Sequence, residues 1–394
     1  MNCILCGGAR IALAPPPQSL HGVASDCKPM PRVGDFMVCE SCGHVQKWLN
    51  NEWLSNIKRI YAQYDMYAVS GGAEQSVFNG GGDVEPRTAH LLRRFLGERR
   101  VPEAGRLLDI GCGNGSILRT FGGMNPKWRL AGFDQGDKFR DEVLRIPGVE
   151  AFHKGSLDDV DGMFDLITLH HVFEHITEPI QFLKKLRRLL KPGGAILLQT
   201  MNFISNPFDL VIVDHCSHFT LRTLALAVRT AGYEVETASD IWTPKELSVI
   251  ATAQSGEGET GANPDAAQTA RDELALRLKW LGIVENHARR TAEQGEFGVF
   301  GAAIAGTWLA TALGRDVGYF MDEDPQRIGK SHMGRPVIKP SSQPVAAQTY
   351  LAFAPEFAHK LGGRLLKTYP AIRLVFPPAM PGMETPMPLA LKQE

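Results

Sequence analysis

A chain of 394 residues exceeds one ordinary domain, and its 44% hydrophobic and 22% charged residues supply a sizeable core, which excludes a lone small module and wholesale disorder. Its 42 Lys and Arg against 43 Asp and Glu leave a formal charge of −1, so no global field draws it to nucleic acid or to an anionic membrane. No window approaches the roughly 18 uninterrupted apolar residues of a membrane helix, and Met1-Asn2-Cys3-Ile4-Leu5-Cys6 lacks the layout of a signal peptide, so a cytoplasmic protein is expected.

The first feature along the chain is a pair of Cys-x-x-Cys motifs, Cys3/Cys6 and Cys39/Cys42. Each presents two thiolates on a tight turn, and four thiolates fill the shell of a structural Zn²⁺ with no position left for water. The expectation is scaffold, with Cys27 and His44 as alternative ligands. Tyr61, Tyr64 and Tyr67 follow at a spacing that lines one helical face, either packing on the next domain or covering a ligand. An amphipathic helix is predicted over 85–100.

Strands are predicted at Arg106–Ile110, Arg129–Phe133, Phe164–Leu169 and Ala195–Thr200, with a helix over 178–190 ended by Lys191-Pro192-Gly193-Gly194. This alternation means a parallel sheet with helices on both faces. A polar stretch over 254–264 leads into a long helix to about residue 294, after which Gly298 and Gly301 open a second strand-to-helix unit. The expected division is 1–60, a zinc-binding module; 61–253, the central α/β domain; 254–294, linker and long helix; and 295–394, a C-terminal Rossmann-like α/β domain.

Leu107-Leu108-Asp109-Ile110-Gly111-Cys112-Gly113-Asn114-Gly115 is a strand running into a glycine turn that opens a helix. Ser116 stands where a dinucleotide fingerprint would carry its third glycine, and Asp109 sets a carboxylate beside the turn, which suits a cationic ligand better than a pyrophosphate. S-adenosylmethionine is such a ligand. Asp134, at the end of the next strand, is placed to take ribose hydroxyls, and Ser156 with Leu157 to hold the adenine. His171 and Tyr67 complete the expected cofactor contacts.

Over roughly 85–235 the sequence resembles the class I S-adenosylmethionine-dependent methyltransferases, through 108–115, the segment Phe164 to His175 and Leu189-Leu190-Lys191-Pro192-Gly193-Gly194. With its flanks, the whole chain resembles the zinc-containing C-methyltransferases that act on keto forms of nucleotide-linked sugars. The resemblance implies a Rossmann-like methyltransferase core between the zinc module and the C-terminal Rossmann-like domain, and a small-molecule acceptor. It implies a catalytic histidine after the fourth strand, matched by His215, with Asp214 in place of the family's glutamate and Ile212 in place of its tyrosine.

A sulfonium methyl is already activated, so the enzyme's burden is a base that makes the acceptor electron-rich. His215 is the candidate, oriented by Asp214 or another carboxylate, with His175 hydrogen-bonding the acceptor or its enolate oxygen. His170, His218 and Asn202 are read as packing, capping or site residues. Gly298-x-x-Gly301 seats the phosphates of a sugar nucleotide or only walls the cleft. The competing readings are O- or N-methylation of another small metabolite, and a non-catalytic binding protein.

Overall fold

The computed structural model describes residues 2–12, 16, 20–64, 76–78, 84–254 and 264–381. Strands β1 (Arg10–Ala12), β2 (Phe36–Cys39) and β3 (Val45–Lys47) pair antiparallel and carry the cysteines at their turns. Helix α1 (Asn51–Ala62) starts where the Asn50 side chain accepts from the backbone N–H of Trp53, and α2 (Arg87–Glu98) buries Leu91, Leu92 and Phe95.

The central domain then alternates β4 (Arg106–Ile110), α3 (Ser116–Met124), β5 (Arg129–Asp134), β6 (Val149–Lys154), β7 (Phe164–His170), α4 (Pro179–Arg188) and β8 (Leu190–Met201). The helix predicted to end at 190 stops at Arg188 because β8 begins earlier than its apolar run, at Leu190, which pairs with Phe164. After β9 (Ser217–His218), α5 (Leu221–Thr230) is closed by a capping box between Thr220 and Thr223. Strands β10 (Tyr233–Ser239) and β11 (Glu246–Ala253) complete a seven-stranded sheet in the order β6-β5-β4-β7-β8-β11-β10, in which β11 alone runs antiparallel to its neighbours. Chain order reverses between β4 and β7, which opens a ligand crevice at the carboxyl ends of those strands.

Helix α6 (Pro264–Ala292) leads to a second sheet: β12 (Phe297–Phe300), α7 (Ile304–Leu313), β13 (Tyr319–Met321), β14 (Ser331–His332), β15 (Arg335–Ile338), β16 (Gln348–Leu351), α8 (Pro355–Thr368) and β17 (Leu374–Val375). Its order is β14-β15-β13-β12-β16-β17, parallel except for the β14–β15 pair. This unit is fastened by Trp280 of α6 and Trp308 of α7, both fully buried and each edge-on to Phe208 with ring centroids 5.7 Å apart.

The N-terminal module is not a free appendage. Strand β9 adds to the edge of β3, and Cys3, Cys39 and Cys42 share one apolar cluster with Phe173, Phe219 and Leu224 of the central domain. Among the described residues no helix is long and apolar enough to cross a membrane.

Candidate active site

The glycine turn after β4 is left-handed at Gly111 (φ 67°), Gly113 (φ 49°) and Gly115 (φ 82°). A Cβ on Gly111 would meet Val172 at 2.4 Å, so the turn lies against the chain leaving β7. Asp109 is 2% exposed and accepts a hydrogen bond from the Thr168 hydroxyl at 2.7 Å. Burial pushes its carboxyl up to about 7; the Thr168 bond opposes this and the charge of Asp134 adds to it. Asp134 ties the turn together, its carboxylate accepting from the backbone N–H of Gly113 (3.0 Å) and of Gly136 (3.2 Å). A bare backbone beside a buried carboxyl that an adjacent cation would ionise fits the cationic end of S-adenosylmethionine, which Asp109 and the turn would hold.

Ser156 is exposed and its hydroxyl caps the N–H of Asp158, while Leu157 is buried beside it. His171, at φ 55°, faces Glu174, with Nδ1 3.1 Å from Oε1; burial, with the Arg87 charge, pushes its imidazole down to about 4. Tyr67 lies outside the described residues.

His215 sits on the segment between β8 and β9, 4% exposed. The carboxylate that orients it is Asp209, not Asp214: Nδ1 lies 2.7 Å from Asp209 Oδ1. The other oxygen of Asp209 is 2.7 Å from Nδ1 of His218, so one buried carboxylate holds two imidazoles. Burial would depress His215, but the Asp209 bond and the charges of Asp209, Glu174 and Asp214 outweigh it and raise its basicity. Asp214 is committed elsewhere. Its carboxylate accepts from the N–H of Ser25 at 2.8 Å and from the Ser25 hydroxyl, and one oxygen lies 3.5 Å from Nδ1 of His175.

His175 stands edge-on to His215, ring centroids 4.7 Å apart, with Nδ1 3.1 Å from both the Asp214 carbonyl and the Tyr61 hydroxyl. Tyr61 thereby reaches from α1 into the site. Glu174 is 1% exposed; burial opposes its charge, but the bond to His171 and the neighbouring imidazoles hold its carboxyl down at about 2. His218 is buried as a partner of Asp209, and Asn202 turns its side chain to the N–H of Ile204.

A cavity of about 240 Å³ lies between this segment and the second sheet, lined by Asn206, Ile212, Arg87, Lys245, Gly301 and Phe357 among others. Lys245, in a left-handed conformation, rests its ammonium 3.7 Å from the centroid of the Phe357 ring; burial and the Arg87 charge push its pKa down to about 7. Arg87 pairs with Glu246.

The four N-terminal sulfurs lie within 4.8 Å of one another, with Cys3–Cys42 at 3.7 Å and Cys6–Cys39 at 3.5 Å. A tetrahedral zinc thiolate centre has edges of about 3.8 Å. The N–H groups of Leu5 and Gly8 donate to the sulfurs of Cys3 and Cys6, each at 3.4 Å, as thiolates require, so the donor set fits the ion. His44 is not in the cluster, its Nε2 lying 3.2 Å from the Ser217 hydroxyl, and Cys27 lines a separate cavity.

A family model described as a methyltransferase domain matches residues 82–238. The ubiquinone biosynthesis O-methyltransferase of Thiobacillus denitrificans is 26% identical over 172 residues, which span 37% of this chain and 72% of that protein. The protein of the same name from Xanthomonas oryzae pv. oryzae is 30% identical over 124 residues, 29% of this chain and 51% of its own length. The chain spans about half the length of most of the curated relatives it matches. An S-adenosylmethionine-dependent methyltransferase from Clostridium acetobutylicum superposes with a TM-score of 0.37 at 10% identity, covering 50% of this chain and 99% of that one. Residues 82–238 form a class I S-adenosylmethionine-dependent methyltransferase domain on a Rossmann-like α/β fold. That domain, and relatives named methyltransferases, support an S-adenosylmethionine-dependent methyltransferase enzyme.

Proposed function

We propose that the chain methylates a nucleotide-linked keto sugar at carbon, with His215 as the general base. The reading is carried by the Asp209–His215 pair, set at 2.7 Å on the segment that also supplies Asn206 and Ile212 to a cavity lined by Arg87, its partner Glu246 and Lys245. When bound, S-adenosylmethionine supplies a methyl activated by its sulfonium. His215 removes a proton α to the acceptor's ketone, and Asp209 fixes the tautomer and stabilises the imidazolium that forms. His175 takes a hydroxyl hydrogen of the acceptor, and the buried surroundings exclude water. Arg87, Lys245 and the backbone at Gly301 attract the diphosphate arm. Cys3, Cys6, Cys39 and Cys42 hold Zn²⁺ as scaffold.

Labelled methyl donor with a panel of keto and reduced sugar nucleotides tests this reading, which expects label at carbon in the keto forms only. In D₂O, without methyl donor, deuterium should enter the α-carbon, and His215→Ala should slow that exchange by about 10²–10⁴-fold. Exchange at the wild-type rate in His215→Ala overturns the base. A second reading, O-methylation of a hydroxyl acceptor, is favoured by the names of the curated relatives, and label on oxygen would select it.

A further inference from the structure

Beside the cysteines, a second set of side chains has the chemistry of a metal site. One carboxylate oxygen of Glu174 and one ring nitrogen each of His175 and His215 lie within 4.8 Å of one another. Each residue also has one polar atom anchored, which leaves its other atom for an ion: Nδ1 of His215 is held by Asp209 at 2.7 Å, Nδ1 of His175 by the Asp214 carbonyl at 3.1 Å, and Oε1 of Glu174 by His171 at 3.1 Å. A metal-binding histidine is held in just this way, one nitrogen tied to a carboxylate or carbonyl and the other left to the ion. The remaining oxygen, Glu174 Oε2, is buried with no hydrogen-bond partner among the described residues, although Glu174 is 1% exposed. A buried charged oxygen without a donor is costly, and a cation in the cluster would satisfy it.

We propose that Glu174, His175 and His215 form a metal site for one borderline divalent ion of the Zn²⁺ and Co²⁺ kind, distinct from the four-cysteine cluster. Two imidazoles and one carboxylate are a donor set such ions favour, and bound ligand atoms in a tetrahedral site stand about 3.3 Å apart. The neighbouring cluster of His170, His171 and Glu246, whose Nε2 and Oε2 atoms also lack hydrogen-bond partners among the described residues, is the poorer candidate, because the Arg87 guanidinium already neutralises Glu246 and its charge would repel an ion there. Resting on the reading of His215 as base, the site carries a consequence: ion and proton need the same nitrogen lone pair, so the loaded ion blocks deprotonation of the acceptor.

The test is Co²⁺ titration of the full chain with its cysteines already loaded with Zn²⁺, followed by visible absorption and equilibrium dialysis. One further Co²⁺ per chain is expected, with weak d–d bands and no thiolate charge-transfer band. Glu174→Gln and His175→Ala should each weaken that binding at least tenfold, while unchanged melting temperature and S-adenosylmethionine affinity in the same variants show that the fold persists. No further Co²⁺, or equal affinity in Glu174→Gln, overturns the site. Binding with spectroscopic saturation but undiminished methyl transfer leaves the site standing and overturns the blocking of His215.

Discussion

The two glycine turns of this chain are built alike and furnished differently. In the central domain the N–H of Gly111 donates to the Phe133 carbonyl at 2.8 Å, and Asp134 accepts from Gly113 and Gly136. In the C-terminal unit the N–H of Gly301 donates to the Met321 carbonyl at 2.7 Å, and Asp322 accepts from Ala302 and Asp324, both at 3.0 Å. The same backbone device fastens each first strand to the acid that ends the second. The difference is charge. Two residues before the turn the first unit has Asp109 and the second Val299, and Asp322 is matched by the Arg327 guanidinium at 3.1 Å where Asp134 faces backbone. One turn is therefore furnished for a cation, while the other is neutralised and left to form a wall or to meet an anion.

The largest effect that would sharpen this contrast is on stability. Trp280→Ala should cost about 3–5 kcal/mol in denaturant unfolding, because a fully buried indole packed on Phe208 is removed, yet any protein that remains folded should bind S-adenosylmethionine as before. Arg327→Met should cost about 3 kcal/mol by leaving the Asp322 charge with only its two backbone donors, again without touching methyl-donor affinity. Asp109→Asn should do the reverse, weakening calorimetrically measured donor binding by about 1.5–3 kcal/mol with little loss of melting temperature. Equal donor affinity in Asp109→Asn and wild type would break the comparison. The smallest effect is with pH. Asp109 carries its charge only above about 7, so donor affinity should rise from pH 6 to pH 8 and then level off, with proton release on binding at the acid end. In Asp109→Asn that slope should vanish.

What could be read in the sequence follows from distance along the chain. The strand, turn and helix at Asp109–Gly115 are contiguous, so their ligand geometry is written locally, and the alternation of β4 to β8 announces a parallel sheet. Asp209 was not legible, since it lies in a short apolar turn, Pro207–Val211, that offers no periodicity. Its only signal is the presence of His215 and His218 six and nine residues on, which matters once the chain has folded back. Strand β9 was hidden for the same reason: two residues long, it gains its identity from Val45 and Gln46, far earlier in the chain. Of the two expectations for the carboxylate that orients His215, Asp214 or another, the structure has the second, because the backbone there turns the Asp214 carboxylate toward Ser25 and sets Asp209 against the imidazole.

Strand β9 also governs how the molecule can be taken apart. The segment bearing His215 is gripped by the amino-terminal residues: the Trp53 indole donates to the Val213 carbonyl, the Lys47 N–H to the Cys216 carbonyl and the Arg222 guanidinium to the Cys42 carbonyl. Trimming the chain to residues 82–238 would therefore strip the mould from the part it shapes, and a minimal enzyme obtained by dissection must keep its first sixty or so residues or replace their grip by design.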